Sequence, residues 1–281
     1  MISRINETLD SKYPLHQLDI ESGHISYRES GRLNKDVLVL LHGIGSASGS
    51  WFRQLEELSL NFRVIAWDAP GYGKSTALSN EYPKAIDYAQ VLEKFFKNLN
   101  IQPYIIVGHS LGALIAGSYA ASYPNSSLRL ILVDPANGHG ELGKQERSEK
   151  LRLRLDNMDK FGPEELANER APALLSKNAS VEALELVRWN MSKLRLEGHA
   201  QAAHMLSSGN LVKDAQYFSG QVLVLCGSED IITPEVGAKK IAAAYNNSSY
   251  QTLLGAGHAS YIENPALCND LILRFAENRN D

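Results

Sequence analysis

Five short apolar runs, at Val37–Leu41, Arg63–Trp67, 104–107, 128–133 and 221–225, constrain this chain more than any other feature, and a weaker sixth lies at 249–253. Each has the length of a strand, is rich in β-branched and aliphatic residues, and ends in small or charged ones. Continuous apolarity marks strands buried on both faces, as in a parallel sheet covered by helices. Helical patterns lie between them; Ala85–Leu99 places Tyr88, Leu92, Phe95, Phe96 and Leu99 at spacings of three and four. Strand alternating with helix predicts an α/β fold, a doubly wound, mostly parallel sheet with helices on both faces. Two earlier segments, 17–20 and 24–29, alternate apolar and polar around Ser22-Gly23 and predict an antiparallel hairpin at the sheet edge.

The rhythm breaks between about 138 and 212. This stretch is rich in Leu, Ala, Glu and Arg, and carries helix-start signals such as Gly162-Pro163-Glu164-Glu165. Three to five helices and no strand are expected there, inserted over the carboxyl edge of the sheet, where α/β folds bind ligands. The expected division is a core of 1–137 and 213–281 with a helical cap at 138–212. Eleven Lys/Arg balance eleven Asp/Glu in the insertion, so its composition implies neither an acidic nor a basic ligand.

Composition narrows the function classes. A net charge of −4, with dispersed positive charge, gives no reason to expect nucleic acid or an anionic membrane. No segment approaches 18 consecutive apolar residues, and the first residues, Met1 to Glu7, lack the apolar stretch of a secretory signal. Cys226 and Cys268 are the only cysteines, in keeping with a reducing compartment, and no CxxC or HxxxH spacing suggests a metal site. A soluble cytoplasmic protein is expected.

Gly108-His109-Ser110-Leu111-Gly112 follows the apolar run at 104–107 and precedes an Ala- and Leu-rich helical run. In that context G-x-S-x-G has a mechanical meaning. A sharp strand-to-helix turn lifts the serine hydroxyl above the sheet, and the helix N-terminus offers a backbone N–H to a developing oxyanion. Glycines two residues either side let neighbouring chain pass without Cβ clashes.

On this pentapeptide in its strand–helix setting, with helices inserted downstream, the chain resembles the α/β-hydrolase superfamily from about Gln17 to its C-terminal helix. The resemblance implies Ser110 as nucleophile, followed by an acid and a histidine in that order. Of eight histidines only His258 follows the last predicted strand, in Gly255-Ala256-Gly257-His258-Ala259. Asp230 follows the strand at 221–225, in a G-x-x-D-x-x-x-P loop that matches the family's acid loop; Asp134, after the preceding strand, and Glu229 are its rivals. The oxyanion amides implied are those of Ile44, in the loop His42-Gly43-Ile44-Gly45-Ser46, and of Leu111. His42 is expected to hydrogen-bond below that loop, His109 to pack or orient the turn, and Trp51 to pack the following helix.

Two nucleotide-like patterns fail on inspection. Ser48 stands where a dinucleotide loop needs its third glycine, and Asp68 where a phosphate loop ending in Gly73-Lys74-Ser75 needs its first. Residues 68–75 instead resemble the family's D-x-x-G-x-G-x-S turn.

Serine at the turn excludes the aspartate-nucleophile branches of the family. Ile44, and Ala259 after the histidine, speak against the branch that cleaves carbon–carbon bonds in ring-cleavage products, which stays an alternative beside a non-catalytic small-ligand receptor. The expectation is a serine hydrolase of small carboxylic esters or lactones, acting through an acyl-enzyme with no cofactor and no metal. Met158, Phe161, Leu174, Leu175, Trp189, Met191, His204 and Met205 are candidate cap residues facing substrate. Arg170 and Arg188 are able to bind a carboxylate but are read as surface residues.

Overall fold

The computed structural model describes residues 2–123, 125 and 127–278, with side chains left out at 2–4 and 6. Eight strands, β1 (His16–Ile20), β2 (Gly23–Ser30), β3 (Val37–Leu41), β4 (Arg63–Trp67), β5 (Pro103–His109), β6 (Arg129–Val133), β7 (Val222–Gly227) and β8 (Ser248–Leu253), form one sheet in the order β1-β2-β4-β3-β5-β6-β7-β8. β1 and β2 are the expected hairpin; β2 meets β4 antiparallel, and every other pairing is parallel.

Because successive side chains of a strand point to opposite faces, each apolar run feeds two cores. On one face Val39, Leu41, Ile106 and Leu132 pack with residues of α3 (Ala85–Leu99) and α4 (Leu111–Ser122). On the other, Leu38, Leu40, Val107 and Val133 pack with Leu55 of α2 (Phe52–Glu57) and with Ile272.

The sheet-facing helices alone need not shape a pocket; the segment between β6 and β7 does. It folds as α5 (Lys144–Arg170), α6 (Val181–Met191), α7 (Leu196–Ser208) and the short α8 (Leu211–Ala215), with no strand among them. α5 breaks at Gly162 (φ 69), where Pro163 cannot continue the preceding hydrogen-bond ladder. α8 packs against α4 and against Glu235–Ala244, so the boundary expected at 212 and 213 falls inside a helix that lies on the core.

One element lies outside the sequence expectation. Helix α1 (Ile2–Lys12) precedes the sheet and buries Ile5 and Leu9 against Phe52 and Leu186, while Arg28 donates to the carbonyls of Leu9 and Tyr13 at its end. Two apolar residues four apart in a polar stretch are a weak periodic signal; their partners lie far along the chain. Cys226 and Cys268 are free and buried, and no described helix is long and apolar enough to cross a membrane.

Candidate active site

The carboxyl ends of β5, β7 and β8 converge. Ser110, at the β5–α4 turn, has φ 51 and ψ −111, a conformation that L residues other than glycine seldom adopt and that costs of order 1–3 kcal/mol. Three backbone hydrogen bonds hold it: its N–H donates to Val133 O at 3.0 Å, and its carbonyl accepts from Ala113 at 3.1 Å and Ala136 at 3.2 Å.

The two glycines of the pentapeptide are required by contact rather than by φ. A Cβ on Gly108 would stand 2.5 Å from the carbonyl oxygen of Gly112, and one on Gly112 would stand 2.2 Å from that of Leu41. Backbone offers no rotamer to relieve such a clash. Gly112→Ala is therefore expected to destabilise the protein by roughly 1–3 kcal/mol, read as a lower urea midpoint with an unchanged m-value.

Ser110 Oγ lies 3.0 Å from His258 Nε2, and His258 Nδ1 lies 2.8 Å from Asp230 Oδ2. All three are buried. Asp230 also accepts from the amides of Ile232 and Thr233 and from the Thr233 hydroxyl, at 2.7, 2.9 and 2.7 Å. Burial pushes its pKa up, but these bonds and the His258 partner outweigh that and hold the carboxyl below its ordinary value. An ionised Asp230 can only accept, so the imidazole carries its proton on Nδ1 and leaves Nε2 to accept from the serine hydroxyl.

Asp134, the rival acid, is engaged elsewhere. Its carboxylate accepts from the Gly227 amide at 2.8 Å and from the Ser260 hydroxyl at 2.6 Å. It thereby ties β6 to β7 and to the segment after His258. Burial raises its pKa to about 7. Glu229 is exposed, and its carboxylate accepts from the Lys177 amide at 3.4 Å, away from the imidazole.

Two other histidines brace this geometry. His109 Nε2 donates to the carbonyl of His258 at 2.8 Å, so the residue beside the serine grips the backbone of the imidazole that faces it. His42 Nδ1 donates to Gly43 O at 2.8 Å, and its Nε2 accepts from the Ala69 amide at 3.0 Å. Burial lowers the pKa of His109 to about 3 from an ordinary 6.5. The unfolded chain then binds a proton near pH 6.5 that the folded site refuses until near pH 3, so stability is full above 6.5 and lost on acidification. Between pH 7 and pH 5, His109→Gln is expected to lose about 2 kcal/mol less unfolding free energy than the parent protein, measured by urea titration at both values.

The Leu111 and Ile44 amides are free of intramolecular hydrogen bonds among the described residues, and both residues border the cavity beside Ser110 and His258. The Tyr72 hydroxyl donates to Ile44 O at 3.0 Å and fixes the loop from behind. Within the turn at 68–75 Ser75 Oγ donates to Asp68 O at 2.7 Å, and the Lys74 amide donates to Ser26 Oγ of β2 at 3.0 Å, so both groups are committed to structure.

A profile of the alpha/beta hydrolase fold matches residues 36–265. The chain belongs to the alpha/beta hydrolase fold family. It is 26% identical over 251 residues to the "Putative carbamate hydrolase RutD" of Cronobacter turicensis, covering 84% of this chain and 89% of that protein. Among solved structures it resembles the enol-lactonase from Burkholderia xenovorans (TM-score 0.84, 22% identity, 94% of this chain and 100% of that one). It also resembles a thermophilic esterase from Thermogutta terrifontis (TM-score 0.82, 24% identity, 94% and 98%). At these identities the structures attest to the fold alone.

In this hydrolase fold the cavity above Ser110 has a volume of about 600 Å³ and lies between the sheet's loops and the inserted helices. Of the eight candidate cap residues, Leu174 and Met191 line it. Met158 and Met205 are buried in the main core, Leu175 packs with Val187 and Ala259, and Trp189 packs near Phe52. His204 meets Tyr82 edge to face, and Lys160 covers Phe161. Arg170 is exposed, as expected, and also borders the cavity, whereas Arg188 does not.

Sequence reasoning passed over Thr233 and Glu263. The Glu263 carboxylate accepts from the amides of Gly257 and Ser176 at 2.7 and 2.9 Å and so anchors the His258 loop to the inserted segment. Its place in Tyr261-Ile262-Glu263-Asn264-Pro265, just after the histidine, was the available signal.

Proposed function

We propose that this hydrolase cleaves small carboxylic esters or lactones through an acyl-serine intermediate. The observation that carries the reading is the unbroken chain Ser110–His258–Asp230, with both links at 3.0 Å or less, opening on a cavity bordered by two uncommitted amides. His258 takes the proton of Ser110 as Oγ attacks the substrate carbonyl, and Asp230 stabilises the imidazolium that forms. The Leu111 and Ile44 amides receive the oxyanion. His258 then protonates the leaving oxygen, and water repeats the sequence on the acyl-serine. Each step uses groups of this chain, and the substrate is a small molecule that enters beneath the helices at 138–212, which serve as a cap.

The test is an ester and lactone panel of graded acyl length, with an aryl carbamate and a ring-cleavage dienone beside it. Time-dependent labelling of Ser110 by a fluorophosphonate, together with turnover of esters or lactones above the other two, is the expected result. Preference for the dienone overturns the ester reading, and tight ligand binding without labelling or turnover overturns the enzymatic one.

A further inference from the structure

The inserted helices carry equal numbers of acidic and basic residues, yet the cavity wall does not. Lys150, Arg154 and Arg170 all line the chamber that holds Ser110, and no Asp or Glu among the described residues lines it. Neither Arg154 nor Arg170 has an ion pair or a side-chain hydrogen bond among the described residues, while most other arginines of the insertion and core do. Lys150 reaches only Glu146, on its own helix, at 3.8 Å.

Arg154 is partly buried, beside His139 and His199. Burial lowers its pKa, and the charge of Arg170 lowers it further. Both neighbouring histidines have depressed pKa values, His199 at about 4, from burial and from Arg154. The imidazoles are therefore neutral near pH 7, and the three long side chains supply the charge. Removing a guanidinium from water beside another cation, with no partner, is costly unless something anionic shares the space. A planar fork suits an oxyacid group held by two parallel hydrogen bonds.

We infer that the substrate carries an oxyanionic end, a carboxylate or a phosphoryl group, which docks on Arg154 and Arg170 while its carbonyl lies at Ser110. This rests on the hydrolase reading and names its substrate class. Both arginines are on α5, Arg154 partly buried and Arg170 exposed at the rim, the reacting groups are on the sheet's loops, and all border the same chamber. One molecule has to span both, as a chamber of about 600 Å³ permits. Docking such an end desolvates both partners together, so an anionic ester gains affinity where a neutral one leaves the guanidinium unpaired.

The test compares 4-nitrophenyl pentanoate with the 4-nitrophenyl half-ester of glutaric acid and the 4-nitrophenyl ester of 3-phosphonopropionic acid. The parent protein is expected to favour one of the anionic esters in kcat/KM by roughly 10- to 100-fold, the worth of a hydrogen-bonded charge, mostly through KM. Which one is favoured tells carboxylate from phosphoryl. Arg154→Gln should collapse that ratio toward one and Arg154→Lys should keep part of it. Arg170→Gln, at the exposed rim, serves if the Arg154 variants fold poorly.

Equal rates on neutral and anionic esters, or a ratio unmoved by both glutamine variants, overturn the inference. A calorimetric titration of glutarate monomethyl ester and dimethyl glutarate into the Ser110→Ala protein reads the subsite without turnover. Tighter binding of the monoanion, lost with Arg154→Gln, upholds it even where hydrolysis fails; equal binding overturns it even where hydrolysis succeeds.

Discussion

Under the proposed acyl-serine mechanism, replacing Ser110 with alanine is expected to lower kcat by roughly 10⁶, since nucleophile and base act there as one unit, while ligand binding and folding stay intact. The magnitude follows from what remains. Without Oγ there is no acyl-serine, and His258 Nε2 loses the hydroxyl that lies 3.0 Å away. The residual rate then comes from the oxyanion amides and from substrate positioning alone. Removing the hydroxyl does not relax the strained backbone at φ 51, because Val133, Ala113 and Ala136 hold it through main-chain bonds. Stability should therefore change by less than about 1 kcal/mol. Steady-state kinetics on a chromogenic ester, with urea unfolding alongside, gives both numbers; retention of more than a hundredth of the parent rate would sink the nucleophile assignment.

Asp230→Asn is expected to cost about 10⁴ in kcat, the scale set by loss of the correct imidazole tautomer in such arrangements. An asparagine amide turned toward His258 offers N–H where the ring also presents N–H, so the ring rotates or flips its tautomer and Nε2 no longer accepts from Ser110. The loss should appear in kcat at nearly constant KM, because Asp230 does not line the cavity. The control is Asp134→Asn, which sits among donors that tie β6 to β7 and should reduce stability more than catalysis. If that variant loses the larger share of kcat, the acid is Asp134 and the assignment of Asp230 fails.

The elements were legible where physics is local. Buried strands carry their signature in themselves, so the predicted strand runs and the observed strands coincide within a few residues, including the weak β8 at the sheet's edge. Ser110 was legible because a strained turn demands small neighbours at fixed spacing; the contacts that a Cβ on Gly108 or Gly112 would make show that demand. Asp230 and His258 were legible only through the family resemblance, which implies an acid and a histidine after later strands. The N-terminal helix was missed because Ile5 and Leu9 are buried by residues remote in sequence, and Thr233 and Glu263 because a hydroxyl and a carboxylate in loops look like solvated groups until their partners are known.

By itself, then, the sequence determined the sheet and the strand-to-helix turn at Ser110, since each depends on residue type at short spacing, whereas Asp230 and His258 were reached only through the family resemblance. Only the tertiary structure decided that Asp230 rather than Asp134 faces His258, that His109 grips the backbone of His258, and that six of eight candidate cap residues do not line the cavity. It also decided where charge goes. Eleven basic and eleven acidic residues in the insertion cancel on paper, but folding turns Lys150, Arg154 and Arg170 toward the cavity and leaves the acids outside it. Composition adds charges without regard to place, whereas electrostatic energy depends on distance and burial, and only the fold sets those.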